Sequence, residues 1–377
     1  MNDASQQGPE SERALPIRPG ARGPGQLFVE HLKETGGFHP VIFFGTQLSG
    51  KSTILLSLLA YARNHPEMGV ETSFGAQSIN DIYFDGFDST EQYGAPNLGR
   101  RAIGTEAVES FKAARTFYDD AVPNFNAGFL PRSTQIRAPM YIPIGLKNKY
   151  DSAKFLFLEA NGEWFARDIT TQSYAPFQYE MESILRYYSG PLSIIFVVPV
   201  VTNNKDVQHN RMLDDIGRCM ELYSQFDRGE ARGDNLLLIG SQWDLLPNNG
   251  LLRPQDADVR PADFLSTAER WGTVWARFTQ MQRLRVGSRA AMPYSIGPVL
   301  PSAKNTSEPG GTADLYRGRS VYTQFPRILW NWLYANATQD VTQPGARVRP
   351  SLFPDVDVAG FPKPSFFSRA ISRFYSV

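Results

Sequence analysis

Residues 41–59 read VIFFGTQLSGKSTILLSLL, and within them Gly45, four further residues, Gly50, Lys51 and Ser52 stand in a fixed order. This is the spacing of a phosphate-binding loop. In such a loop the backbone N–H groups turn inward around the β and γ phosphates. Residues Gly45, Thr46, Gln47, Leu48, Ser49, Gly50 and Thr53 would form that cradle. Lys51 adds a point charge, the Ser52 hydroxyl can ligate Mg²⁺, and the helix starting behind the loop contributes its dipole. The motif lies between an apolar strand, HPVIFF, and an apolar helix over 51–67, which is the context it requires.

Two later stretches end apolar runs in chemistry-bearing residues. KFLFLEANGEW leads to Glu159, with Gly162 three positions on and Glu163 after it. NLLLIGSQWDLL leads to Ser241, Gln242, Trp243 and Asp244. For these groups to meet the loop, their strands must lie in one sheet and end on the same edge. The pattern predicts strands at 39–44, 138–146, 154–160, 192–200, 235–241 and 291–300, and helices at 51–67, 105–120, 176–188, 206–226, 262–283 and 324–339. Most of these strands are continuously apolar rather than alternating, which means both faces are covered. The expected fold is therefore α/β: a doubly wound, mostly parallel six-stranded sheet with helices on both faces, and a large insert before the second strand.

The order of these strings resembles the Ras-like P-loop GTPases over most of 39–338. Strand-Asp-x-x-Gly and strand-Asn-Lys-x-Asp are that superfamily's second and fourth signatures, matched here by Glu159…Gly162 and Ser241-Gln242-Trp243-Asp244. Within it, the chain is similar to the large bacterial double-GTPase-type domains, which share Pro-x-x-Thr ahead of the second strand (Pro131 to Thr134) and the string EANGE. The resemblance implies that Thr134 closes on Mg²⁺ and the γ-phosphate, that Glu159 holds Mg²⁺ through water, and that the Gly162 N–H meets the γ-phosphate. It implies that Asp244 reads the guanine edge while the stem of Gln242 lies against the base. The implied ligands are GTP or GDP with Mg²⁺. Lys51, Thr134, Gly162 and Glu163 would surround the scissile bond.

The departures from that pattern imply slow or partner-stimulated hydrolysis. Glu159 stands for the usual Asp, and Gln47 and Leu48 occupy loop positions where well-known members carry glycine. Glu163 replaces a water-orienting glutamine, and Ser241 and Gln242 replace Asn and Lys. The last signature, Ser-Ala-Lys, has two candidates, Ser295-Ile296-Gly297 and Ser302-Ala303-Lys304. The expected role is a nucleotide-dependent molecular switch; the alternatives are an ATPase and a non-hydrolysing nucleotide-bound scaffold.

Composition bounds the remainder. Thirty-eight basic and 38 acidic residues balance, which gives no reason to expect nucleic acid. One cysteine excludes an internal disulfide, and the four histidines lack metal-ligand spacing. No apolar run reaches the roughly 20 residues of a membrane span, so the expected location is cytoplasmic. Residues 1–25 read as a disordered leader, 26–340 as the nucleotide-binding domain, with the insert at about 70–132, and 341–377 as a Pro-rich basic and aromatic tail. Arg100, Arg101 and Arg132 are candidate arginine fingers. The insert and the tail are the candidate surfaces for a protein partner. Phe367, Ile371, Phe374 and Tyr375 make the tail a candidate peripheral membrane contact.

Overall fold

The computed structural model describes residues 29, 38–46, 49–71, 119–130, 140–147, 152–159, 179–200, 207–226, 228, 233–243, 271–281, 288–301, 315–317 and 322–338. The elements that position the site begin with strand β1 (His39–Phe44) and helix α1 (Lys51–Asn64), followed by a short 3₁₀ turn (Pro66–Met68) and β2 (Val70–Glu71). Next come β3 (Met140–Lys147), β4 (Ser152–Glu159), α2 (Tyr179–Tyr187), β5 (Ser193–Pro199), α3 (Val207–Gln225) and β6 (Asn235–Ser241). The series ends with α4 (Thr273–Gln280), β7 (Ser288–Pro293), β8 (Val299–Pro301), β9 (Leu315–Arg317) and α5 (Gln324–Ala337).

Seven strands form one sheet in the order β2-β3-β4-β1-β5-β6-β7. Five of them, β4, β1, β5, β6 and β7, pair in parallel. The mostly parallel sheet expected with six strands has five in parallel: β3 pairs antiparallel with β4, and the two-residue β2 pairs antiparallel with β3. The short connection between Lys147 and Ser152 accounts for this, because parallel neighbours need a crossover of a dozen or more residues.

Strand side chains alternate between two cores. Ile42, Phe44, Leu156, Leu158, Ile194, Phe196, Leu236 and Leu238 face one of them, shared with Ile184 of α2, Ile216 and Met220 of α3 and Phe278 of α4. Val41, Phe43, Phe155, Phe157, Ile195, Val197, Leu237 and Ile239 face the other, shared with α1, α5 and the helical segment 119–126. Burial on both sides is the reason these strands carry no polar alternation. The helix after β1 thus lies on the opposite face from those after β4 and β5, which opens a crevice at the carboxyl end of β1.

α1 is buried on nearly all sides, from Ile54 through Ala62. Ala121, Val122 and Phe125 pack in the same core, Arg63 pairs with Asp119 at 2.9 Å, and Asn64 donates to Asn126 at 3.2 Å. On its other flank, the Trp330 indole donates to the Leu58 carbonyl at 3.1 Å.

Two sequence expectations change, and a third falls largely outside the described residues. The apolar run 291–300 is not one strand: β7 ends at Pro293, Gly297 has φ 106°, and Val299 begins a separate two-stranded sheet with β9. The helix expected at 262–283 begins at Thr273 among the described residues, because Gly272, at φ 49°, precedes it in a non-helical conformation. Of the helix expected at 105–120 only residues 119 and 120 are described, and they belong to a helical segment that reaches residue 126. The leader, the tail and most of the insert lie outside the described residues. No described helix is long and apolar enough to cross a membrane.

The amino ends of the parallel strands hold the polar locks. Asp234 accepts from Arg228, Tyr223 Oη and the Leu192 N–H, while Arg228 also donates to the carbonyls of Leu185, Tyr188 and Gly190. Both side chains are buried, so Asp234→Ala should leave an uncompensated guanidinium and cost about 3–5 kcal/mol in urea unfolding. His39 Nε2 lies 2.8 Å from Ser193 Oγ, and burial pushes the imidazole down to about 4, against a smaller upward pull from Asp234. A histidine depressed in the fold stabilises it fully above its ordinary value near 6.5. That contribution, about 3 kcal/mol, drains away as pH falls toward 4. Urea midpoints between pH 7 and 4.5 should therefore fall less steeply in His39→Gln than in the wild type.

Candidate functional site

Gly45 leaves β1 where no side chain fits: a Cβ there would sit 2.6 Å from Ser49 Oγ and 2.9 Å from the Val197 carbonyl of β5. Gly50 then takes φ 91° and serves as the helix N-cap, with no side chain to satisfy the first N–H groups of α1. No acidic residue stands in that first turn. The positive end of a 14-residue helix is therefore directed at the loop with no acidic residue of its own first turn to offset it.

Lys51 is buried, and its ammonium donates to the carbonyls of Gly45 (2.6 Å) and Thr46 (2.8 Å). Burial lowers its pKa to about 8, opposed chiefly by the nearby Glu159. The hydroxyls of Thr46 and Ser49 are buried with no hydrogen-bond partner. Two orphaned hydroxyls within one loop cost stability unless something else accepts from them.

Glu159 reaches this loop through register. Phe43 of β1 pairs with Glu159, the last residue of β4. The buried carboxylate accepts from the Ser52 hydroxyl at 2.5 Å. Thr53 lies in the same first turn of α1. In the β3–β4 pairing, Met140 at the start of β3 is likewise aligned with Glu159.

β6 ends beside the loop from the other direction. Ser241 Oγ donates to the Ser49 carbonyl at 2.6 Å, a residue 192 positions away. Gln242 follows with φ 57°, the sole described non-glycine residue at positive φ, a conformation costing about 1 kcal/mol or more for such a residue. Trp243 is fully buried, and its N–H donates to the Tyr294 carbonyl at 3.2 Å. Ser295 comes next and is buried, its Oγ accepting from the Gly297 N–H at 3.2 Å. The first candidate for the last signature thus lies beside the end of β6, while Ser302 is outside the described residues.

Of the residues singled out in the sequence, Gly45, Thr46, Ser49, Gly50, Lys51, Ser52, Thr53, Glu159 and Gln242 are brought to one edge of the sheet. Gln47, Leu48, Thr134, Gly162, Glu163 and Asp244 lie outside the described residues, as do Arg100, Arg101 and Arg132. The contribution missed from sequence is that of the Ser241 hydroxyl, which ties the end of β6 to the loop. Its signal was a hydroxyl closing an apolar strand.

No protein-family model matches the chain, and no curated protein matches it. Among solved structures it is similar to the crystal structure of the S. cerevisiae Ski7 GTPase-like domain bound to GTP, at 12% identity and a TM-score of 0.31. The match covers 78% of this chain and 50% of that one, so the chain spans about half the length of the structure it matches.

The steric demand at Gly45 is directly testable. Gly45→Ala forces a methyl against the backbone oxygen of Val197, which should cost about 1–3 kcal/mol and lower the thermal midpoint. A midpoint equal to that of the wild type would show that β1 and β5 can part at this corner.

Proposed function

We propose that the chain binds a nucleoside triphosphate at the Gly45–Thr53 loop, with GTP preferred over ATP, and acts as a nucleotide-dependent switch with slow or partner-stimulated hydrolysis. The observation that carries this reading is the convergence at the crevice of a buried lysine, an uncapped helix N-terminus and two buried hydroxyls lacking partners. Each of these gains from a polyphosphate: the hydroxyls find acceptors, the helix end finds a counter-charge, and Lys51 regains a reason to stay protonated.

Ser52 and Glu159 fit a divalent cation. They present a hydroxyl and a carboxylate within 2.5 Å of each other, the all-oxygen donor set that Mg²⁺ prefers. Such an ion would neutralise charge on the β and γ phosphates. Thr134 would add a third ligand from the segment that leads into β3, where the Met140–Glu159 register supports its approach. Gly162 and Glu163 follow Glu159 by three and four residues and would lie on the γ-phosphate side.

For the base, Asp244 would act from the position after Trp243, whose backbone N–H is anchored on the Tyr294 carbonyl beyond the end of β6. A carboxylate there would accept from the guanine ring edge and would face an acceptor if adenine took its place. Gln47, Leu48 and Glu163 take the places of residues that elsewhere speed hydrolysis, and this favours a switch over a fast turnover enzyme.

Titration with fluorescent non-hydrolysable GTP and ATP analogues in Mg²⁺ tests the proposal. GTP should bind roughly tenfold or more tightly than ATP, Asp244→Ala should erase the difference, and Lys51→Ala should weaken both by roughly tenfold or more. Equal binding of ATP with Asp244→Ala silent would replace the guanine reading with an ATPase. Binding of neither would end the nucleotide reading.

A further inference from the structure

Tyr294 stands immediately after β7, with its side chain 1% exposed, too buried to meet any ligand. Its backbone serves the base side of the site. The N–H donates to the Gly240 carbonyl at 2.7 Å and the carbonyl accepts from Trp243 at 3.2 Å, bracketing the turn at Gln242. Its side chain crosses to the phosphate side, where the hydroxyl lies 2.5 Å from Ser57 Oγ on α1. Phe325 of α5 packs on the ring, with 5.8 Å between centroids.

The direction of this bond follows from proton counting. The single Ser57 proton goes to the Ile54 carbonyl at 2.7 Å, so the Tyr294 hydroxyl is the donor to Ser57. The Ile54 N–H in turn donates to the Gly50 carbonyl at 2.9 Å, inside the glycine loop. Tyr294 thus joins the backbone around Gln242 to the first turns of α1, the helix that Gly50 caps. The neighbours of Ser57 on α1, Leu55, Leu56 and Leu58, are all buried aliphatics. A Phe and an Ala would fill this space equally well, so packing alone does not require the hydroxyl pair. A satisfied polar pair in such a core selects one arrangement of the elements it joins.

We infer that Tyr294 is a positioning residue that sets the separation between the glycine loop and the Gln242 turn, so that one ligand is gripped at its phosphates and its base together. This rests on the nucleotide reading above. It concerns how the two halves of that site are coupled, which neither half alone decides.

The coupling is read by comparing a probe that spans both halves with one that fills only the first. The probes are a fluorescent non-hydrolysable GTP analogue and inorganic triphosphate, the latter measured by competition, each with Mg²⁺. Tyr294→Phe keeps the ring and leaves Ser57 bonded to Ile54. It should weaken the GTP analogue about fivefold, the scale of one lost hydrogen bond, with triphosphate unchanged. Ser57→Ala should do the same from the other end, and the double variant should be no weaker than either single one. Equal losses for both probes, or losses that multiply in the double variant, would reduce Tyr294 to a packing residue and overturn the inference. So would a ratio of the two affinities that is the same in the variants as in a wild type that binds both probes. A wild type that binds neither probe overturns the nucleotide reading and this inference with it.

Discussion

The parallel pairing of β1 with β4 on one side and β5 on the other is the constraint from which the site follows. Pairing Phe43 with Glu159 delivers a carboxylate to the Ser52 hydroxyl. Pairing Phe44 with Phe196 brings the Val197 carbonyl against Gly45, where only hydrogen fits. A slip of one residue would turn Glu159 to the opposite face and exchange the residues facing the two cores. The aromatic contacts that fill both layers, Phe44 on Phe196 in one and Phe43 on Phe157 in the other, oppose such a slip.

The two ends of the sheet divide the polar work. At the amino ends, Arg228 and Asp234 spend their hydrogen-bonding capacity on each other and on nearby backbone groups, and His39 meets Ser193. At the carboxyl ends, hydroxyls of Thr46 and Ser49 remain buried without partners, and Gln242 holds a strained backbone. A fully satisfied base beneath an incompletely satisfied rim is how a fold concentrates binding capacity in its loops.

What could be read from sequence was what is local. The Gly45-to-Ser52 spacing and the apolar strand before it lie within a dozen residues, and strands buried on both faces announce themselves as continuous apolar runs. The break in the run 291–300 was hidden because Pro293 and Gly297 stand among apolar neighbours that suggest an uninterrupted strand. The antiparallel direction of β3 was legible only in the short 147–152 connection, because an apolar run does not disclose its direction. The hydroxyl contacts were illegible for a different reason. Ser241 meets Ser49 across 192 positions and Ser57 meets Tyr294 across 237, so no window of sequence contains both partners.

The burial of α1 has a mechanical consequence. A helix wedged between the sheet, α5 and the 119–126 segment, with Trp330 pinned to its spine and Asp119 paired to Arg63 at its end, is a fixed strut. The loop mounted on it is therefore a stationary anvil. Any movement at this corner of the sheet must therefore come from elements other than α1.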